Sequence, residues 1–252
     1  MKIDFTKKSY RQLIQALKNH EYKFYTFEQW CEGKANGKYV ILRHDVDLKA
    51  GHSQSIALIE NSLEVCASYY FRVVPQSNQP HIIKGIAALG HEIGYHYEDL
   101  SLFKGDVTKA LVHFEKQLTY FRTFYPVKTI CMHGSPTSNI DNRDIWKGAD
   151  YKSFGVIGEP YFDVNFNDVF YLTDTGRCWD GERFSRRDKV ESSFDLSFHS
   201  TSDIIKAITH NQLPYKVMIT THPQRWTDNK LEWLQEYLFQ SIKNTVKRLI
   251  IK

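Results

Sequence analysis

Strand-like apolar runs and segments of helical periodicity alternate along the whole chain, and no linker interrupts them. No Pro/Gly/Ser-rich break, low-complexity stretch or repeat divides the sequence, so residues 1–252 are expected to form a single domain. The pattern predicts helices at 7–19, 51–64, 80–89, 106–124, 201–210 and 226–247, and strands at 38–43, 67–74, 92–96, 128–132, 153–157, 169–173 and 215–221.

Repeated strand–helix alternation indicates an α/β fold, in which helices cover a parallel sheet that is either open or closed as a barrel. The predicted strands are continuously apolar, which is typical of strands buried on both faces. About seven predicted strands favour a barrel over an open sheet.

The composition excludes several classes of function. Apolar residues make up 42% of the 252 residues, which is ample for a core. The net charge of +4 comes without a long basic run, so nucleic-acid binding is not indicated. The N-terminus lacks the apolar region of a signal peptide and no apolar run is long enough for a membrane span, which predicts a cytoplasmic protein. In that compartment the four cysteines are expected to be reduced. These are Cys31, Cys66, Cys131 and Cys178.

Ionisable groups, with a few other polar or aromatic side chains, lie at or just past the carboxyl ends of five of the predicted strands. The carboxyl ends of parallel strands converge on one rim, which is where α/β folds build active sites. Singly, such a residue is more often a helix cap or a packed histidine, but five occurrences on one rim favour a site. The residues are His44, Asp45 and Asp47; His96, Glu98 and Asp99; His133; Asp174, Arg177 and Trp179; and His222, Gln224 and Arg225.

The chemistry of this set is that of metal-assisted hydrolysis. Asp45 and Asp47 occupy alternate positions of an extended segment and therefore point the same way. Histidine and carboxylate ligands suit a catalytic Zn²⁺ or a similar divalent cation. One aspartate can bind the metal while the other acts as base, and a histidine such as His222 can protonate the leaving group. This arrangement hydrolyses an ester or an amide.

Four segments in order, "LRHDVD", "GHEIGYHYED", "CMHGSP" and "TTHPQRW", resemble motifs of the polysaccharide deacetylase (NodB-homology) family. The resemblance covers roughly residues 39–226. It implies a distorted (β/α) barrel that removes acetyl groups from sugars with a divalent metal.

The resemblance also implies roles for individual residues. Asp45 would be the base, Asp47 and His96 metal ligands, and His222 the catalytic acid. "YLTDTGRCWDG" is similar to the fourth motif of the family, and the residues expected to orient or contact the substrate are Asp174, Arg177, Trp179 and Arg225.

Two departures from the family pattern leave one ligand open. The second motif normally continues to another histidine, and Leu100 stands at that position. "MHGSP" replaces the usual Arg-x-Pro-x-Gly of the third motif. We expect His133, at the next strand end, to supply the third ligand, with Glu98 as the alternative because it lies two residues from His96. A degenerate site that holds no metal is the remaining possibility.

The expected function is therefore a metal-dependent hydrolase that removes an acetyl or similar acyl group from a sugar. Because a signal peptide is lacking, the expected substrate is a small molecule or oligosaccharide intermediate of surface-polysaccharide biosynthesis. The alternatives are hydrolysis of another non-peptide C–N bond and a non-catalytic carbohydrate-binding or scaffolding barrel. Zinc is the expected metal, and Co²⁺, Mn²⁺ or Fe²⁺ fit the same ligand types.

Overall fold

The strands of the described chain all run parallel in one sheet, in the order β5-β4-β3-β2-β7-β6, with β1 paired to the first half of β2. The computed structural model describes residues 3–134, 138–180 and 190–250. The strands are β1 (Lys23–Tyr25), β2 (Tyr39–Val46), β3 (Ser68–Phe71), β4 (Glu92–Tyr97), β5 (Ile130–Met132), β6 (Phe170–Thr173) and β7 (Lys216–Thr221).

Helices cover the outside of this sheet. Several begin at side-chain caps that the sequence supplies, as at Thr6, which accepts from the backbone of Ser9, and at Asp106, which accepts from the backbone of Lys109. The helices are α1 (Lys7–Asn19), α2 (Phe27–Cys31), α3 (Ala50–Ser62), α4 (Pro80–Ala88), α5 (Asp99–Leu102), α6 (Val107–Phe121), α7 (Pro160–Asp163), α8 (Thr201–Thr209) and α9 (Lys230–Ile250).

Strand β2 is buried along its whole length and separates two apolar clusters. Val40 and Leu42 belong to the large cluster beneath the helices, whereas Tyr39 and Ile41 belong to a smaller cluster inside the curve of the sheet. This is the alternation of a strand buried on both faces. Toward the carboxyl end of β2, polar side chains replace the apolar ones on both faces. Those on the inner face form the candidate site.

The predicted α/β class with about seven parallel strands is confirmed, and the strands form a half-barrel sheet. The strand expected at 153–157 is wrong, because a 3-10 turn over Tyr151–Phe154 ends at Gly155, which has a φ of 71°. The seventh strand is instead β1, which has only 3 residues and carries too short a pattern to recognise. The last helix begins at Lys230 rather than near 226, because Pro223–Arg225 form a separate 3-10 turn.

Two further sequence expectations concern the chain as a whole. Within the described ranges, none of the helices has the length and apolar character needed to cross a bilayer. The four cysteines are thiols rather than disulfides. Positions 135–137 of the "CMHGSP" segment lie outside the described residues.

Candidate metal centre and active site

The site begins at the carboxyl end of β2, where Arg43 and Asp45 lie side by side on the inner face. Arg43 donates to both carboxylate oxygens of Asp45, with Nε to Oδ1 at 3.0 Å and Nη2 to Oδ2 at 2.7 Å. Both side chains are buried. Burial raises the pKa of Asp45, but the Arg43 guanidinium and His96 outweigh it and hold that pKa well below its usual range. Asp45 is therefore a fixed, ionised carboxylate.

Asp47 follows the end of β2 and faces two histidines from neighbouring strands. Its Oδ1 lies 3.6 Å from His96 Nε2 and 3.5 Å from His133 Nε2. This oxygen is buried and has no hydrogen-bond partner among the described residues. Burial raises the pKa of Asp47, but His133, His222 and His96 together lower it below its ordinary value. A buried, ionised oxygen without a donor is what a bound cation would satisfy.

The ring of His96 is oriented by the adjacent strand. Its Nδ1 lies 2.9 Å from the carbonyl oxygen of Cys131, its register partner on β5. A carbonyl can only accept, so Nδ1 carries the hydrogen and Nε2 presents a lone pair toward Asp47. Burial lowers the pKa of His96 to about 4, so the ring is neutral near pH 7. A neutral imidazole is the form that binds metal.

Glu98 orients His133 in the same way. Its Oε2 lies 2.9 Å from His133 Nδ1, and Arg72 donates to both of its oxygens at 2.6–2.9 Å. Burial raises the pKa of Glu98, but His133 and Arg72 outweigh it and lower that pKa to about 2. Glu98, the alternative third ligand, is thus engaged by two other side chains, and it directs the Nε2 of His133 toward Asp47.

Asp47, His96 and His133 together offer ligand atoms that all lie within 4.8 Å of one another. Asp45, His96 and Cys131 form a second, overlapping group by the same measure. The first group is the ligand set predicted from the sequence, including the third ligand chosen in place of Leu100. Two imidazoles and one carboxylate with an open side suit a catalytic divalent ion.

His222 follows β7 and faces the second carboxylate oxygen of Asp47. Its Nε2 lies 3.8 Å from Asp47 Oδ2, and its Nδ1 lies 2.6 Å from Asp174 Oδ1. Burial and Arg225 lower the pKa of His222, but the carboxylates of Asp174 and Asp47 outweigh them and raise it above its ordinary value. The Nδ1 contact leaves Nε2 facing the centre of the site, where it can hold a proton to be delivered.

Asp174 is buried behind His222, and several groups donate hydrogen bonds to its carboxylate. Trp226 Nε1 donates to its Oδ2 at 2.7 Å, and Arg225 Nη1 donates to its Oδ1 at 2.8 Å. The backbone amide of His222 also donates to Oδ2 at 3.0 Å. Asp174, expected on the substrate side, therefore contacts and orients the histidine, and Arg225 acts through Asp174 rather than from the centre of the site.

The other two residues assigned to the substrate side face elsewhere. The guanidinium of Arg177 donates from Nη1 to the carbonyl of Trp233 at 2.9 Å and lies over the Trp233 ring. Trp179 is buried, and its Nε1 donates to Thr201 Oγ1 at 3.0 Å. These contacts explain both side chains as packing groups and do not favour the predicted substrate contact for either.

Several residues that support the site were not recognised in the sequence. Arg43 carried a usable signal, because it precedes Asp45 by two residues and the alternation that aligns Asp45 with Asp47 also aligns Arg43. Arg72 lies within a predicted strand and Trp226 ends the "TTHPQRW" segment, and neither position alone indicates a role in the site. The missed residues are Arg43, Arg72 and Trp226.

No protein-family model and no curated protein sequence matches the chain. Solved structures similar to it include a CE4 family pseudoenzyme from Bacillus anthracis, with a TM-score of 0.45 and 13% identity over 84% of this chain and 62% of that one. A mutant CE4 family pseudoenzyme with restored enzymatic activity gives a TM-score of 0.45 and 13% identity over 83% of this chain and 64% of that one. The chain thus spans less than two thirds of the length of both.

The peptidoglycan deacetylase PdaC from Bacillus subtilis has a TM-score of 0.39 and 14% identity, covering 85% of this chain and 98% of that one. CE4 is the polysaccharide deacetylase family, the same family that the four sequence motifs resemble. The chain is similar to these proteins.

Proposed function

We propose that this protein is a metal-dependent hydrolase that removes an acetyl or similar acyl group from a sugar. One observation carries the proposal: the ligand atoms of Asp47, His96 and His133 converge, and Asp45 and His222 both lie within 4 Å of members of this set. Five polar groups from β2, β4, β5 and β7 thus meet at one rim of a parallel sheet.

The residues present fit a divalent ion. The Oδ1 of Asp47, which has no hydrogen-bond partner among the described residues, and the Nε2 atoms of His96 and His133, whose Nδ1 atoms are engaged elsewhere, supply one carboxylate and two imidazoles. A divalent ion held by these three residues would polarise an acyl carbonyl and make a bound water acidic. Zinc is the first choice for such a mixed set.

Asp45 is the proposed base that accepts a proton from the attacking water. It lies beside the ligand set, with Oδ2 at 3.9 Å from His96 Nε2. Arg43 keeps Asp45 ionised and fixes its two oxygens, so the carboxylate needs no rearrangement before it accepts the proton. The same ion pair makes Asp45 a weak base, since its pKa is held low.

His222 is the proposed acid that protonates the leaving nitrogen or oxygen of the sugar. Its raised pKa favours the protonated form, and Asp174 holds the ring so that Nε2 faces the site. Base and acid then both lie beside the ligand set, Asp45 next to His96 and His222 next to Asp47, so one can take a proton and the other can deliver one. The motif resemblance supports a sugar as the carrier of the acyl group, and an intermediate of polysaccharide biosynthesis is the proposed source of that sugar.

One observation favours a second candidate, a barrel that binds carbohydrate without catalysis. Both oxygens of Asp45 already accept hydrogen bonds from Arg43, and base catalysis is most efficient when the pKa lies nearer the working pH. Hydrolysis of another C–N bond is a variant of the first proposal, because the same groups would serve it.

Acetate release from acetylated sugars, measured with metal content, tests the proposal. Chelation should abolish release and Zn²⁺ or Co²⁺ should restore it. Asp45→Asn should retain metal and lose about a hundredfold or more in rate, whereas Asp47→Asn should lose metal. Asp168→Asn, at an exposed position, is the matched control and should change neither.

Three results would decide against parts of this assignment. Undiminished acetate release by metal-free protein excludes the metal mechanism. Full activity of Asp45→Asn excludes Asp45 as the base. Sugar binding by the metal-loaded protein without turnover on any member of a panel of acylated sugars and amines favours the non-catalytic barrel.

A further inference from the structure

Helix α9 packs on the rest of the protein with its polar side. Trp233 Nε1 donates to the carbonyl of Asp4 at 2.6 Å, and Asn244 donates to the carbonyl of Gly176 at 2.8 Å. Gln240, between them, is only 6% exposed. These residues lie three to four positions apart or in multiples of that spacing, so they mark one face of the helix. The face that docks is therefore built from an indole and two amides.

The opposite face of α9 is apolar and turned to solvent. Leu231 is 73% exposed, Leu234 48%, Leu238 53% and Ile242 65%. Their spacing of three, four and four residues forms one stripe, which lies across the helix axis from Gln240. In an ordinary surface helix the apolar face packs on the protein and the polar face is turned to solvent. We call these four residues the α9 stripe, and an exposed apolar patch of this kind marks an interaction surface.

The segment that contains the α9 stripe is also positively charged. Residues 230–252 contain five lysines and arginines against two glutamates, so this segment holds three of the chain's four surplus positive charges. Lys230 and Lys243 are exposed on α9. Lys243 Nζ lies 4.2 Å above the ring of Phe239, which is itself 51% exposed. Cationic and aromatic groups beside an apolar stripe are typical of helices that lie at a membrane interface.

The pattern does not fit a second copy of the chain. A coiled coil keeps a heptad repeat, but the heptad that begins with Leu231, Leu234 and Leu238 continues to Ser241 and Thr245. The α9 stripe from 231 to 242 is about 17 Å long at about 1.5 Å per residue. One helix face of that length buries much less than the roughly 800 Å² per partner of a stable protein interface.

We infer that α9 binds the surface of a membrane that contains anionic lipids, with the α9 stripe in the acyl region and the lysines among the headgroups. The helix contacts the 3-10 turn over Thr175–Arg177, which directly follows Asp174. A membrane-bound α9 would therefore hold this side of the sheet's carboxyl rim near the lipid surface. The inference stands on α9 alone and does not depend on the proposed catalytic function.

Vesicle sedimentation of the full chain tests the inference. The protein should bind vesicles of equimolar phosphatidylglycerol and phosphatidylcholine, bind phosphatidylcholine alone less, and lose the difference at high ionic strength. The double variant Leu234→Glu/Leu238→Glu should lose about tenfold or more in partitioning. Lys230→Gln/Lys243→Gln should lose about fivefold per lysine on anionic vesicles only.

Leu58→Glu/Val112→Glu is the matched control, since it changes the charge equally at two apolar positions that are 54% and 67% exposed on α3 and α6. This control should bind vesicles like the wild type, and thermal melts should show all variants folded. The inference is overturned if the wild-type protein does not bind anionic vesicles at low salt. Equal loss in the control and the stripe variant also overturns it. A dimer that dissociates on Leu234→Glu/Leu238→Glu, without vesicle binding, assigns the stripe to a second copy instead.

Discussion

Replacing Arg43 with methionine tests how the site holds its proposed base. Arg43 is fully buried and Asp45 is 4% exposed, so neither charge is relieved by solvent when the other is removed. Removal of one partner from a buried, bidentate ion pair costs about 3–5 kcal/mol. In a chain of this size that corresponds to a fall of about 6–20 °C in melting temperature. Arg43→Met should therefore be folded but strongly destabilised.

A double-mutant cycle separates the ion pair from general damage to the core. Asp45→Asn removes the charge that needs Arg43, so the double variant Arg43→Met/Asp45→Asn should be more stable than the sum of the single losses predicts. Urea denaturation of the four proteins at pH 7 measures this coupling. Additive losses, with no coupling between the two sites, would refute the reasoning.

Arg143 provides the matched control for this cycle. It donates to both oxygens of Asp141, also two residues away, from Nε to Oδ1 and from Nη2 to Oδ2, but the two side chains are 29% and 25% exposed. A partly exposed pair of this kind is worth about 1 kcal/mol or less. Arg143→Met should therefore cost much less than Arg43→Met, and similar losses would show that burial is not what makes the Arg43 pair strong.

Three further predictions concern groups around the site. Burial raises the pKa of Glu60, but His44, at 2.7 Å, leads the groups that outweigh burial and lower that pKa. Ionised Glu60 therefore stabilises the fold above its unfolded pKa of about 4.3, and this stabilisation is lost as the pH falls. Glu60→Gln should cost several kcal/mol at pH 7 and less near pH 3, as measured by urea unfolding. Glu98→Gln should weaken metal affinity by about 10–100-fold while the ligands remain, as measured by competition with a chelating dye. Gly94→Ala should destabilise the fold by about 1–3 kcal/mol, because a Cβ there would lie 2.3 Å from the ring of Tyr70, and a melting curve checks this.

Each of these has an outcome that would count against it. A loss from Glu60→Gln that is the same at both pH values would mean that the ionised carboxylate is not what stabilises the cluster. Unchanged metal affinity in Glu98→Gln would mean that the neighbouring histidine is held by other contacts. Wild-type stability of Gly94→Ala would mean that the Tyr70 ring moves freely.

Topology explains why the central residues could be predicted from the sequence. His96 ends a predicted strand, Asp47, His133 and His222 each follow one, and parallel strands bring their carboxyl ends together whatever the details of packing. The period-two rule further predicts that Asp45 and Asp47 share a side. These arguments use only local pattern and the parallel arrangement of the strands.

The roles of Arg177 and Trp179 depended on information that the sequence does not carry. Both follow β6, but Gly176 and Arg177 have φ values of 76° and 60°, and the guanidinium then packs on α9. A left-handed turn at a non-glycine residue has no reliable sequence signal. Strand β1 was missed for another reason, since three residues give no measurable periodicity.

Consecutive residues of strand β2 form ion pairs on opposite faces of the sheet. This arrangement helps to determine the register in which β2 pairs with its neighbours. His44 pairs with Glu60 beneath the helices, whereas Arg43 and Asp45 pair on the inner face. A slip of one residue in one direction would bring Asp45 against Glu60, and a slip in the other would place Asp45 among the apolar residues around Val46. Either error leaves a carboxylate buried without a cation, so misaligned pairing of β2 is penalised before the sheet is complete.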